Sequence, residues 1–85
     1  GTTRLVARDL TGRATLDEVL TTRNYEGVKR IFTPRPQIAA ILAALTAAGP
    51  AGATGADLAQ SLKLPAPAVD RAVIWLLKYD FIRRG

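Results

Sequence analysis

The chain has 85 residues, enough for one hydrophobic core, and its 48% apolar and 22% charged content excludes wholesale disorder. It contains no Cys, His or Met, which excludes disulfides, thiol chemistry, the usual metal-ligand sets and the commonest general base. Twelve Lys and Arg against seven Asp and Glu leave a net charge of +5, which favours an acidic partner such as nucleic acid or an anionic surface without choosing between them.

In chain order, Arg4-Leu5-Val6-Ala7-Arg8 alternates and predicts a strand over 4–8. Thr11-Gly12 turns the chain. Thr15-Leu16-Asp17-Glu18 is a capping box ahead of Val19 and Leu20, predicting a short helix over 16–22. Val28 to Phe32 reads as a second strand, with a frayed helix as the alternative. Thr33-Pro34-Arg35-Pro36 then restricts the backbone and divides the chain into an N-terminal extension, residues 1–35, and a core, residues 36–85.

The core carries the clearer pattern. Ile38, Ile41, Leu42 and Leu45 recur on one helical face among alanines, predicting a helix over about 35–48 with a proline in its first turn. Gly49-Pro50 ends it. Residues 49–55 read as a glycine-rich loop. Thr54 and Asp57 form a short capping box for a helix over 55–62, closed by Leu64-Pro65. A further helix over 66–79 buries Val69, Val73 and Leu76. Asp80 tolerates the left-handed backbone of the following turn, and Phe81 to Arg84 reads as a terminal strand.

Two helices joined by a tight turn, then a strand ending in basic residues, resemble the winged helix-turn-helix superfamily. The resemblance covers about 36–84. It rests on Ala56 to Leu64 as the second helix, on Val69, Val73 and Leu76 as buried positions of the recognition helix, and on Phe81-Ile82-Arg83-Arg84 entering the wing. Residues 1–35 carry no such resemblance. The fold class expected is mainly α with a small β-sheet: a winged helix-turn-helix core with an N-terminal β/α extension. The resemblance implies that the helix over 66–79 lies in the DNA major groove. Its groove-facing positions are then Ala66, Pro67, Ala68, Asp70 and Arg71, a set poor in base-reading side chains. Arg71 is its one strong donor, equally readable as a solvated helix residue.

The DNA-binding set expected is Arg71, Arg83, Arg84, Lys29, Arg30, Arg35 and Lys63. Lys29, Arg30 and Arg35 make the densest basic cluster, near Tyr25 and Phe32, and suit phosphate contacts. Lys63 also reads as a helix C-terminal cation, and Arg83 and Arg84 as guards of a sheet edge. Thr54 and Ser61 could donate to phosphates, although capping accounts for Thr54.

Ile74, Trp75 and Leu77 make the helix over 66–79 apolar nearly all round, so they are expected at an interface. Burying Trp75 and Ile74 would contribute about 1.5–3 kcal/mol each. Their cover is either the N-terminal extension, through Leu5, Val6, Leu10, Leu16, Val19 and Leu20, or another chain in a homodimer or partner complex. Strands 4–8 and 28–32 are expected to join 81–84 in one sheet, the first protecting the terminal strand's edge.

No catalytic constellation, metal site or cofactor motif is present. Gly49, Gly52 and Gly55 precede a helix without the Gly-Lys-Ser/Thr of a phosphate-binding loop. The longest apolar run, Ile38 to Leu45, is eight residues and far too short to span a bilayer. The sequence therefore predicts a cytoplasmic, non-enzymatic module of a longer protein that binds duplex DNA mostly through phosphates, with weak or shape-based sequence preference. The alternatives are a protein- or peptide-docking winged-helix domain and a purely structural domain of a larger assembly.

Overall fold

The computed structural model describes residues 3–16, 18, 19 and 35–85. Among these, the order is β1 (Arg4–Ala7), α1 (Arg35–Ala48), a 3-10 turn (Gly49–Ala51), β2 (Ala53–Thr54), α2 (Gly55–Leu62), α3 (Ala66–Lys78) and β3 (Ile82–Arg84). The fold is mainly helical with a small antiparallel sheet, as expected, and α1 and α2 have the predicted bounds. The expected strand over 28–32 and the cations Lys29 and Arg30 lie outside the described residues.

α1 forms because its alanines cost little to order and its apolar stripe has a core to enter. Ile38, Ile41 and Leu45 are fully buried, and Pro36 sits where no intrahelical N–H is needed. Gly49 ends the helix with a φ of 64°, which a glycine adopts without steric cost. The segment after it is not simply a loop. Ala53 and Thr54 form β2, pairing with Leu5 and Arg4 of β1. Gly52 makes this possible: its φ is 67°, and a Cβ there would collide with the Leu5 carbonyl oxygen. The Arg4 guanidinium fastens the join, donating to the carbonyl oxygens of Ala51 (3.1 Å) and Gly52 (3.4 Å).

α2 starts at the predicted capping box. The Asp57 N–H donates to the Thr54 hydroxyl and the Thr54 N–H to the Asp57 carboxylate, each at 3.1 Å. These bonds to Thr54, the backbone one first, hold the Asp57 carboxyl below the usual carboxylate range. Upstream, the Glu18 N–H donates to the Thr15 hydroxyl at 3.2 Å, and Leu16, Glu18 and Val19 are helical. The rest of the expected 16–22 helix lies outside the described residues.

β1 is the central strand of the sheet, whose order is β2-β1-β3. It pairs antiparallel with β3, Leu5 opposite Arg84, Val6 opposite Arg83 and Ala7 opposite Ile82. The N-terminal strand thus covers one edge of β3, as the sequence suggested. One hydrophobic cluster spans both halves of the chain: Leu5 joins Ile38, Ile41, Leu45, Leu58, Val69, Trp75, Leu76, Phe81 and Ile82, with Leu10, Leu16 and Val19 packed against it.

Candidate nucleic-acid interface

α2 and α3 are joined by the turn Lys63-Leu64-Pro65. Lys63 adopts the left-handed conformation (φ 55°, ψ 46°) usual for glycine at such a cap, and the Leu64 N–H closes the helix end on the Ala59 carbonyl at 3.0 Å. Pro65 then sets the extended entry to α3.

At about 100° per residue, α3 has one inward and one outward face. Ala68, Val69, Ala72, Trp75 and Leu76 are buried; Val73 and Leu77 are half-buried. Pro67, Asp70, Arg71, Ile74 and Lys78 form the outward strip. Two expectations change. Ala68 is inside, so it is not a groove-facing residue. Trp75 is 3% exposed, its ring 4.3 Å from that of Tyr79, and belongs to the core rather than to an interface. The buried stripe is centred on Ala72, which carries Trp75 inward and leaves Ile74, 56% exposed, on the outward strip.

Arg83 and Arg84 lie on opposite faces of the sheet. Directly opposed residues of an antiparallel pair share a sheet face, and neighbours along a strand alternate. Arg84 opposes core-facing Leu5 and lies on the helical side, whereas Arg83 opposes Val6 and lies on the far side. Two concavities show the same division. A slot of about 180 Å³ between α3 and the sheet is lined by Leu5, Asp70, Val73, Leu77 and Arg84 among others. A larger, open concavity of about 720 Å³ on the far side is lined by Val6, Arg8, Pro50 and Arg83 among others.

The cations fall into two groups. Arg13 donates to the carbonyl oxygens of Asp80 (2.6 Å) and Tyr79 (3.2 Å) and lies 5.7 Å from the centre of the Phe81 ring. Arg8 pairs with Asp80 at 3.5 Å, and Arg4 holds the β2 join. By contrast, the side chains of Lys63, Arg71, Arg83 and Arg84 are exposed and make no hydrogen bond or ion pair among the described residues. Lys78 lies against the Tyr79 ring, its Nζ 5.5 Å from the centroid. Arg35, exposed at the start of α1, has a partner.

Among the described residues, no group of His, Cys, Asp or Glu is arranged to hold a metal, and no helix is long and apolar enough to cross a membrane. No protein-family model, curated protein or solved structure matches the chain.

Proposed function

We propose that this chain is a winged-helix module that holds duplex DNA mainly by its phosphates, with weak or shape-based sequence preference. The observation that carries the reading is the unpartnered guanidinium of Arg71 on the solvent strip of α3, two turns before Lys78 on the same strip, with Arg84 across the slot and Lys63 in the turn just before the helix. Guanidinium groups present planar donors that match phosphate oxygens. An exposed helix flanked by such donors suits the major groove, where side chains from one helical face meet base edges and backbone together. Arg83 faces the other side of the sheet and is not part of this grip.

A salt titration of binding to a labelled duplex tests the proposal. If Lys63, Arg71, Lys78 and Arg84 each neutralise one phosphate, log K falls with log salt at a slope of about −3.6. No binding at low salt, or binding indifferent to salt, overturns it.

A second reading has its own observation. The slot of about 180 Å³ has an apolar floor of Leu5, Val73 and Leu77, with Asp70 and Arg84 among its other walls, which suits one aliphatic side chain of a docking protein. Filling the slot by Val73→Phe blocks such a partner while leaving the cations on α3 in place. Loss of duplex binding in Arg71→Ala, with none in Val73→Phe, favours DNA; no duplex binding by wild type, with binding of a partner protein that Val73→Phe abolishes, favours docking.

A further inference from the structure

Ile74 is the one large hydrophobic side chain that is strongly exposed among the described residues, at 56%. Its place is specific. It lies one turn after Asp70 and Arg71 and one turn before Lys78, in the middle of the solvent strip of α3. Helical neighbours at i−4, i−3 and i+4 share a face, so charged groups stand on both sides of an aliphatic tip. Packing does not require it there, because the core of α3 is complete on the opposite face through Ala72, Trp75 and Leu76.

We infer that Ile74 is a specificity-determining residue that packs on the C5-methyl group of thymine. The inference rests on the DNA-binding reading and adds to it a base preference at one position. With the cations on phosphates, the centre of the strip is the part of α3 nearest the base edges. In the major groove, thymine alone among the four bases offers an apolar methyl group there, whereas the other edges offer only nitrogen, oxygen and ring C–H groups. An isoleucine pressed against those polar groups excludes their water and returns no hydrogen bond. Against a thymine methyl it removes apolar surface on both partners. Asp70, one turn earlier on the same strip, adds an acceptor suited to the cytosine amino group and repels phosphate.

The test uses one A·T-rich duplex and the same duplex with every thymine replaced by uracil, which deletes only the methyl groups. Wild type is expected to bind the uracil duplex about three- to fourfold more weakly for each methyl contacted, the worth of one buried methyl-sized group. Ile74→Ala, with its thermal melting checked against wild type, is expected to bind both duplexes equally and as weakly as wild type binds the uracil form. Equal, salt-dependent binding of both duplexes by wild type overturns the inference and leaves the DNA reading standing. So does a uracil penalty of the same size in Ile74→Ala. No duplex binding by wild type at low salt overturns the DNA reading, and the inference with it.

Discussion

The arginines at the two ends of this chain have the same chemistry and opposite situations. Arg4, Arg8 and Arg13 are turned back onto the protein, onto the Ala51, Gly52, Tyr79 and Asp80 carbonyls and the Asp80 carboxylate. Arg71, Arg83 and Arg84 reach solvent without a partner among the described residues. The count of twelve Lys and Arg therefore overstates the number of cationic side chains free to meet an acidic ligand: some of them tether the N-terminal strand and its turn to the helical core. Like residues in two regions have become internal ties and an external surface, and only geometry separates them.

The contrast breaks most severely at the join that Arg4 holds. Gly52→Ala places a methyl group against the Leu5 carbonyl in a backbone conformation that disfavours side chains, and is expected to cost at least about 2 kcal/mol in urea unfolding. Arg13→Ala removes two hydrogen bonds and a cation–π contact from the Tyr79–Phe81 turn. The same measurement should show a loss of about 1 kcal/mol, because water replaces part of what is lost at this exposed site. Arg84→Ala should change stability by less than about 0.5 kcal/mol yet weaken duplex binding several-fold. Arg83→Ala, on the far side of the sheet, should leave both nearly unchanged, and fluorescence anisotropy on a short duplex separates the two neighbours. The smallest effect concerns carboxylates. Thr11, chiefly by its hydroxyl, holds the Asp9 carboxyl below the usual range, and Thr54, chiefly by its backbone N–H, does the same for Asp57. Carboxyls depressed in the folded state contribute stability that is complete above the unfolded pKa and is lost as pH falls through the folded one. Thermal stability should therefore decline as pH falls below about 4, and less steeply in Asp57→Asn.

Much of the fold was legible in local pattern. The bounds of α1 and α2 follow from an aliphatic stripe, a proline, a capping box and a glycine, all read within a few residues. β2 was not, because Ala53-Thr54 is a strand only through its pairing with β1, about fifty positions away in sequence. The left-handed backbone of Lys63 is not legible either, because the α2 cap, closed by the Leu64 N–H on the Ala59 carbonyl, is built on a residue other than the usual glycine. Other features are implicit in residue spacing. Strand alternation alone separates Arg83 from Arg84. Ala68, Ala72, Trp75 and Tyr79 recur at helical spacing, a stripe centred on Ala72 that turns Trp75 inward and Ile74 outward. The partnered state of Arg13 is invisible to any local reading, since its acceptors lie more than sixty residues downstream.

The division between tied and open cations is tested most directly by the salt dependence of duplex affinity in three proteins: wild type, Arg84→Ala and Arg13→Ala. Removing one phosphate contact lowers the magnitude of the slope by about 0.9. The slope should fall by this amount in Arg84→Ala and be unchanged in Arg13→Ala. A drop in Arg13→Ala with none in Arg84→Ala would contradict the account.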